Sequence, residues 1–594
     1  MIYYGLMMQW QRILGGVVVA CAAVAALAQT PSAPQAGASQ TIEAGAPEPS
    51  RLNARLLYEL LLAELLAREG QAQQGAAYML SAARRVGDEA LFKRATELAI
   101  QSRAGPAALE ATRAWRHAFP QSAQAGQYEL QVLIVLGRVA ETEEPARHFL
   151  ATLPDAEKLS FITALPALYQ RVPDKAEAAR VIERALNGAL GKPALAPAAW
   201  TSIGRLRLQA GDKAGALAAA TLGQSADAQS EWPALLGLQL MASGEAQAEA
   251  LVERHLAMAQ ARPELYIAYA RGLIEQGRGA DAHRQLDRLI RRAPEHPESW
   301  LVRGALYADE RRDAEAESDL RRYLGLLEAM PADADAEQPE GSAYARMMLA
   351  GIAERRGDLA QARQWLESVD SPEQALAVQT RLAQLLARQG RLDEARQLIR
   401  AVPERNAEDA RLKLLAEAQL LRDNRQPQQA YDLLSGALQQ TPDEETLLYD
   451  TATAAERVGQ FDAMERLLRR LIELKPEAAQ AYNALGYSLA DRNLRLPEAR
   501  ALIDKAVQLA PDDAYIQDSL GWVQFRQGNL RQARKTLEAA FKKRPDAEIA
   551  AHLGEVLWSQ GEREGALRVW RDGQRLDVDN ETLKKTLLRF RVRP

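Results

Sequence analysis

The chain has 594 residues, of which 47% are hydrophobic and 26% charged, and its formal net charge is −5. This balance is typical of a globular chain and provides no strongly basic surface for nucleic acid. A single Cys excludes an intrachain disulfide framework, and it excludes a zinc ribbon or an iron–sulfur cluster held by this chain alone.

The N-terminal segment has the pattern of an export signal. Arg12 precedes an apolar run from Ile13 to Ala28, which ends in small residues before Gln29. The run of about 16 residues is short for a membrane span, which needs roughly 20, and small residues at its end suit a signal peptidase. We therefore predict a signal peptide over residues 1–28; the alternative is an uncleaved membrane anchor.

Cys21 provides a second way to process this segment. The run Val18-Val19-Ala20-Cys21 resembles a bacterial lipobox, whose Cys is lipidated and becomes the new N-terminus. The residues after Cys21 stay apolar, which favours cleavage after Ala28 instead. Both routes predict a periplasmic location, with outer-membrane anchoring if Cys21 is lipidated. Membrane contact is expected only in that case or if the signal segment is retained.

Residues 29–50 contain Pro, Ala, Ser and Gly and almost no large apolar side chains, which predicts a disordered tether. The rest of the chain is repetitive. In its C-terminal third, Leu-Gly recurs at residues 485, 520 and 553, and Pro recurs at 476, 511 and 545. Each unit contains a first helix (A), a turn, a second helix (B) and a turn with Pro. Small residues let the two helices cross closely, and Pro cannot continue helix B.

An alanine of helix B recurs at nearly constant spacing, at residues 216, 250, 282, 316, 362, 395, 430, 463, 499, 533 and 566. The single step of 46 residues coincides with the acidic, Pro-containing stretch 329–341. That stretch is either a hinge between two arrays or a local bulge in one continuous solenoid. The predicted domains are an N-terminal array over 51–328, with degenerate repeats over 51–190, and a C-terminal array over 342–594.

The degenerate region is also predicted to be helical. Leucines 56, 57, 60, 61, 65 and 66 are placed on one broad apolar face of the first helix. Further helices are predicted over Ala76–Arg85, Glu89–Gln101 and Ala107–His117. No segment alternates apolar and polar residues over the length of a strand with turn signals at both ends, so no sheet is predicted.

The repeat resembles the tetratricopeptide repeat (TPR). Trp300, Gly304, Tyr307 and Ala316 match four positions of its consensus, and other units match fewer. The resemblance implies an all-α fold: a TPR-like α-solenoid of stacked antiparallel helix pairs that form a superhelix. Its concave surface, lined by the A helices, would bind other proteins or peptides.

No phosphate-binding loop, dinucleotide fingerprint, zinc-protease motif or nucleophile elbow occurs in the sequence. The six histidines are interpreted as solvated or helix-end residues. The chain is therefore predicted not to be an enzyme, with no catalytic residue, no cofactor and no metal site.

The TPR geometry predicts a binding groove on the last A helices. Its aromatic side chains could anchor a peptide, or they could pack between neighbouring repeats. The groove also includes positions 480, 491, 548 and 555. The candidate peptide-binding residues are Asn483, Tyr487, Tyr515, Asp518, Trp522, Phe525, Arg526 and Trp558.

Residues 483–541, 548–570 and 56–71 resemble a family of large proteobacterial envelope TPR proteins. One branch of this family is an outer-membrane lipoprotein, the adaptor of a periplasmic carboxy-terminal processing protease that degrades cell-wall hydrolases. The resemblance implies an envelope scaffold with protein partners that presents substrates to a protease. The alternative is a TPR subunit of an exopolysaccharide export or synthesis machine.

Overall fold

The computed structural model describes residues 52–330 and 340–592. These residues form 32 α-helices and two short 3₁₀ helices, and they contain no β-strand. The predicted all-α, TPR-like solenoid is therefore confirmed. The predicted signal peptide, its Cys21 and the predicted tether over 29–50 lie outside the described residues and stay predictions.

The chain divides into two compact units, residues 1–331 and 332–594. In the first unit, which we call unit 1, each helix packs mainly against the helices next to it in the sequence. Its helices are α1 (Ala54–Arg68), α2 (Ala72–Val86), α3 (Glu89–Gln101), α4 (Gly105–Ala118), α5 (Ala123–Val135), α6 (Glu143–Thr152), α7 (Asp155–Leu168), α8 (Lys175–Ala185), α9 (Asn187–Leu190), α10 (Ala196–Gln209), α11 (Lys213–Ala226), α12 (Trp232–Ala242), α13 (Glu249–Leu256), α14 (Pro263–Glu275), α15 (Gly279–Arg292), α16 (Pro297–Asp309) and α17 (Asp313–Ala329).

Unit 2, the second unit, contains helix pairs that follow the same pattern and a single helix at its end. Its helices are α18 (Glu340–Arg355), α19 (Leu359–Glu367), α20 (Ala375–Arg388), α21 (Leu392–Arg400), α22 (Ala407–Asp423), α23 (Pro427–Gln440), α24 (Glu445–Arg457), α25 (Phe461–Leu474), α26 (Ala479–Asp491), α27 (Leu496–Leu509), α28 (Ala514–Arg526), α29 (Leu530–Lys543), α30 (Ala547–Ser559), α31 (Arg563–Leu576) and α32 (Glu581–Phe590).

The predicted stretch 329–341 overlaps the end of α17 and the start of α18. Residues 331–339 lie outside the described part of the chain, so the hinge and the bulge both stay predictions.

Helix ends in unit 2 follow from local chemistry. Asp513 and Asp546 precede α28 and α30, and the side chain of each accepts hydrogen bonds from two backbone amides of the first turn. Gly528 and Gly561 have φ of +84° and +89° in the turns between the A and B helices, a conformation that favours glycine. These short signals divide the chain into helices of about 13 residues.

Small residues lie at the helix crossings, as predicted. A Cβ atom added to Gly486 would lie 3.0 Å from the backbone oxygen of Ala499, and one added to Gly554 would lie 2.1 Å from Trp570 Nε1. The crossings thus leave no room for a larger side chain in helix A. The alanines predicted at the B-helix position are buried at residues 216, 282, 316, 362, 395, 430, 463, 499, 533 and 566.

One position of this alanine series is wrong. Ala250 is exposed, and the buried alanine of that repeat is Ala248, which is fully covered. Ala248 ends a 3₁₀ helix just before α13. Both alanines fit the period, and the tighter turn of the 3₁₀ helix decides which of them faces the neighbouring helix.

The predicted apolar face of α1 is also wrong in part. Leu56 is buried, whereas Leu57, Leu61 and Leu65 are 45%, 55% and 55% exposed. Only one side of this leucine-rich helix packs on α2, because α1 is the first described helix of the stack.

The core is a series of clusters rather than one centre. In unit 1 they extend over residues 63–133, 130–206 and 216–306, and each one joins neighbouring helix pairs. At the end of unit 2, α32 buries Leu583 and Leu587 against the last pair. Within the described ranges, no helix has the length and apolar character needed to cross the membrane.

Candidate functional site

The predicted groove residues lie on the A helices of three consecutive units, α26, α28 and α30. Helix α28 packs against both α26 and α30. The three helices therefore form one continuous side of unit 2, which we call the A face. The sequence-predicted residues divide into buried and accessible sets on this face.

The two central residues of the predicted groove are buried. Trp522 is 3% exposed and Asp518 is 4% exposed, so each presents little surface to a ligand. Tyr515 is the most accessible aromatic residue, at 40%. The remaining candidates, all half-buried, are Asn483, Tyr487, Phe525, Arg526 and Trp558.

His552 lies at the centre of the A face. Its Nδ1 is 3.0 Å and 2.9 Å from the two carboxylate oxygens of Asp518. Its ring stacks on Trp522, with centroids 4.2 Å apart. Because a carboxylate only accepts hydrogen bonds, Nδ1 carries the proton and donates it to Asp518. This contact ties α30 to α28.

Tyr487 extends the contact to a third repeat. Its hydroxyl oxygen is 3.3 Å from His552 Nε2 and 3.3 Å from a carboxylate oxygen of Glu548. Both partners follow Tyr487 by more than 60 residues in the sequence. With His552 neutral, the hydroxyl donates to Nε2; with His552 protonated, Nε2 donates to the hydroxyl, which then donates to Glu548. Four side chains on three A helices thus form one hydrogen-bonded chain.

Burial and charge shift the pKa values of this cluster. Burial lowers the pKa of His552, but the charge and hydrogen bond of Asp518 raise it more, so the net direction is upward. Burial raises the pKa of Glu548. The pKa of Glu555 is also raised by burial, against the opposing charge of Arg589. Burial and the charge of Glu548 hold the pKa of Tyr487 well above its usual value. The A face therefore retains protons more strongly than free side chains do.

The predicted aromatic residues fall into two groups. Trp522 and Phe525 are in contact, with centroids 5.2 Å apart. Trp558 instead packs on Trp570 and Phe590, at 5.5 Å from each. Phe525 borders both hydrophobic clusters. The structure thus places Trp522, Phe525 and Trp558 in neighbouring clusters within the stack, and their role as peptide anchors stays a prediction.

Two buried polar atoms of the predicted groove have no protein partner among the described residues. They are Asn483 Oδ1, an acceptor, and Trp522 Nε1, a donor. An unpaired buried polar group costs about 1–3 kcal/mol. They lie on neighbouring A helices, and both atoms are enclosed by the protein.

Arg526 has a structural task. Its guanidinium donates to the backbone oxygens of Ala490 and Asp491, at 3.0 Å and 2.7 Å. These carbonyls belong to the last turn of α26, whose C-terminal groups have no partner inside the helix. Arg526 therefore holds two consecutive A helices in register.

His552 was missed by the sequence analysis. The interpretation of all histidines as solvated or helix-end residues is wrong for His552, which is 1% exposed and lies in the middle of α30. His255 is also buried, at 3% exposed, but it lies in the last turn of α13 and so fits the prediction of a helix-end residue. One signal was available, because His552 follows Glu548 by one helical turn and Asp518 by 34 residues, the length of one repeat. Over residues 52–330 and 340–592, no three His, Cys, Asp or Glu side chains group so that they could hold a metal ion.

Comparison with known families agrees with this geometry. A family model described as "Tetratricopeptide repeat" matches residues 267–339, 449–514 and 519–572. The chain contains tetratricopeptide repeats. The last two matched segments include α26, α30 and most of α28, so the cluster around His552 lies largely within TPR units. The TPR fold is typically a non-catalytic scaffold through which proteins interact with one another.

The similar proteins match only parts of the chain. A TPR repeat-containing protein of Pseudomonas aeruginosa is 46% identical over 141 residues, which is 24% of each chain. The chloroplastic PsbB mRNA maturation factor Mbb1 of Chlamydomonas reinhardtii is 37% identical over 86 residues, 14% of this chain and 13% of that protein. The chain thus spans about a quarter or less of the length of these relatives.

Solved structures of TPR proteins are also similar to this TPR chain. A tetratricopeptide repeat protein of Parabacteroides merdae is 18% identical and covers 41% of this chain and 97% of its own, with a TM-score of 0.33. A thermophilic TPR protein of Thermus thermophilus is 21% identical and covers 30% of this chain and 97% of its own, with a TM-score of 0.27.

Proposed function

We propose that this protein is a non-enzymatic scaffold in the periplasm that binds other proteins through the A face and presents them to an envelope protease. The observation that carries the proposal is the A face itself. It combines half-buried aromatic side chains with the exposed ring of Tyr515. Binding interfaces use aromatic anchors of this kind together with a few placed polar groups.

The periplasmic location is supported by the N-terminal sequence, where Arg12 precedes a short apolar run that ends in small residues. Mass spectrometry of the mature N-terminus tests this. A free Gln29 is the expected result. A lipidated Cys21 would place the scaffold on a membrane, and an intact N-terminus in the cell fraction that holds cytoplasmic proteins would overturn export.

The protease role is supported by the resemblance of residues 483–541 and 56–71 to envelope TPR adaptors. Affinity capture from an envelope extract with the full chain tests it. Recovery of a protease together with cell-wall hydrolases is expected. Recovery of glycan-export components instead would favour the exopolysaccharide machine and overturn the protease role.

Binding by the A face is tested with Tyr515→Ala. Tyr515 is 40% exposed, so its truncation leaves the core intact, whereas Trp522→Ala would open a cavity. We expect at least a tenfold loss of capture, the size of a hot-spot effect of about 1.4 kcal/mol or more. Tyr58→Ala is the matched control, because Tyr58 is 65% exposed and lies on α1 in unit 1. Equal capture by both variants would contradict the A face as the binding surface.

A further inference from the structure

Helix α1 of unit 1 exposes a row of large apolar side chains. Its inner side packs on α2 and buries Leu56 and Ala63. On its opposite side, four large apolar side chains are between 45% and 65% exposed: Leu57, Tyr58, Leu61 and Leu65. We call these four residues the α1 face. Nothing in the proposed function uses this surface.

The α1 face differs from the usual outer side of a repeat stack. Each inner unit is covered by its two neighbours, and a terminal unit needs a polar outer side to stay soluble. Helix α32, the last described helix of unit 2, has such a side, since its exposed residues include Lys584, Lys585 and Arg589. Helix α1 is instead apolar on both sides, a pattern typical of a helix that is covered on both. Its outer side therefore requires a partner.

The residues that precede α1 are poorly suited to be this partner. Residues 29–50 contain almost no large apolar side chains, so they cannot fill the spaces between leucines. The apolar run from Ile13 to Ala28 is predicted to be removed with the signal peptide. The partner is thus expected to come from another molecule.

The α1 face is complementary to a second copy of itself. Leu57, Leu61 and Leu65 are spaced by four residues, so they form one row along the helix that is symmetric about Leu61. When two copies of α1 lie side by side in opposite directions, Leu61 meets Leu61. In the same arrangement, Leu57 of each copy meets Leu65 of the other.

The charges beside the row favour this antiparallel arrangement. Arg55 lies in the first turn of α1 and Glu69 directly follows its last residue, and both are exposed. They are 14 residues apart, close to four helical turns, so both lie on the flank of Tyr58.

An antiparallel pair brings Arg55 of each copy to Glu69 of the other, whereas a parallel pair places like charges together. Within one copy, Arg55 bonds Glu59 at 3.1 Å, and its side chain is still 77% exposed. The guanidinium has five N–H donors, so Arg55 can serve both carboxylates.

We propose that the protein forms a reversible homodimer in which the α1 faces of two copies pack antiparallel about a twofold axis. Such an interface uses the same surface on both copies, so it closes at two and leaves no α1 face free. Because the contact is about four helical turns long, we expect a dissociation constant in the micromolar range. The dimer does not depend on the proposed function, although it doubles the number of A faces in one assembly.

Light scattering after gel filtration of the purified protein tests the proposal. We expect a mass of about twice that of one chain at high concentration. Leu61→Glu places a charge at the centre of the row and is expected to give a monomer with an unchanged circular dichroism spectrum. Leu222→Glu on α11 is the matched control, because Leu222 is a 47% exposed leucine of unit 1 outside the α1 face. A monomeric wild type, or a Leu61→Glu variant that stays dimeric, would overturn the proposal.

A charge exchange tests the antiparallel direction. Arg55→Glu and Glu69→Arg each replace two attractive contacts of the dimer by two repulsive ones, so each is expected to raise the dissociation constant about tenfold. An equimolar mixture of the two variants should dimerise as tightly as the wild type, because each copy then meets opposite charge at both ends. A mixture that associates no better than either variant alone would contradict the antiparallel pairing.

The outcomes separate the dimer from the scaffold function. If the wild type is monomeric while Tyr515→Ala loses capture of envelope proteins, the dimer is wrong and the A face stands. If Leu61→Glu abolishes the dimer while Tyr515→Ala leaves capture unchanged, the dimer stands and the A face is wrong.

Discussion

Two buried carboxylates, one in each unit, are neutralised in different ways. In unit 1, Arg303 donates to both oxygens of Asp319, at 2.7 Å and 2.9 Å, and to Asp287 at 2.6 Å. In unit 2, the buried Asp518 pairs with His552. Both arrangements join two helices through one buried acid. The difference lies in the cation, because arginine is always charged and histidine titrates near neutrality.

The Arg303 pair therefore keeps its charge, whereas the charge of the His552 pair depends on pH. Burial lowers the pKa of Arg303, but the hydrogen bond and charge of Asp319 raise it more, so the guanidinium stays charged. His552 and Glu548 can instead gain or lose protons while folded. The cluster around His552 can thus respond to pH while the Arg303 pair does not.

The largest expected effect comes from removing either cation. Arg303→Ala and His552→Ala each leave a buried carboxylate unpaired, which costs about 3–5 kcal/mol. We expect loss of hydrogen-exchange protection in α15–α17 for the first variant and in α28–α30 for the second, since contacts in a repeat array are local.

His117→Ala is the control for this pair, since His117 is exposed and should change stability by about 0.5 kcal/mol or less. If Arg303→Ala or His552→Ala lowered the free energy of unfolding by less than about 1 kcal/mol, the carboxylate left behind would have found another partner.

A smaller effect is expected at the helix crossings. Gly554→Ala forces a Cβ to within 2.1 Å of the rigid indole of Trp570, whereas Gly204→Ala meets the flexible end of Leu236 at 2.3 Å. We expect Gly554→Ala to cost about 1–3 kcal/mol by overpacking and Gly204→Ala to cost less. Thermal unfolding of the two variants measures the difference.

Gly565→Ala provides the matched control in unit 2, because a Cβ there meets its nearest atom at an ordinary 3.7 Å. This change should be neutral or stabilise the helix by up to about 1 kcal/mol. If Gly565→Ala were as harmful as Gly554→Ala, crowding at the crossing would not be the cause.

The smallest expected effect is the response to pH. The raised pKa of His552 means that its stabilisation is fully present below about pH 6.5 and is lost as pH rises through the folded value. The raised pKa values of Glu548 and Glu555 likewise make the folded state less stable as pH rises above about 4.5. The A face around His552 should therefore lose up to about 1.4 kcal/mol of stability per pH unit for each such group.

Glu249 in unit 1 should respond in the opposite direction. The hydrogen bond of Arg278 holds the pKa of Glu249 below its usual range, so this stabilisation is lost as pH falls below about 4.5. Hydrogen exchange of both units between pH 4 and 8 measures the contrast. His552→Gln should flatten the profile of unit 2 above pH 6.5, and a wild-type unit 2 that became more stable with rising pH would contradict the assignment.

Much of the fold could be predicted because the residues that define each helix and each crossing lie close together in the sequence. Gly486 and Gly554 mark the crossings, and the turn residues between them mark the ends of helices. The period does not say which of two nearby alanines faces inward, as Ala248 and Ala250 illustrate. It also does not say how far the ring of Trp522 is covered, since this depends on the next A helix.

The site could be predicted less completely. The TPR geometry places Asn483, Tyr487 and Asp518 on one side of unit 2, but not the contact between Tyr487 and His552, which are 65 residues apart. Such a contact requires three A helices to stack closely enough for one side chain to pass its neighbour. No pattern within a single repeat predicts how closely these three helices stack.

The sequence by itself determined the repeat period, the helix pairs and the small residues at their crossings, because each of these depends on interactions within about one repeat. Only the tertiary structure decided that Trp522 is buried, that Trp558 packs on the last helix, and that His552 is the partner of Asp518. The physical reason is that burial and charge pairing arise where several repeats meet. How far a side chain is buried and which charge it pairs with depend on the packing of those repeats and not on any one helix.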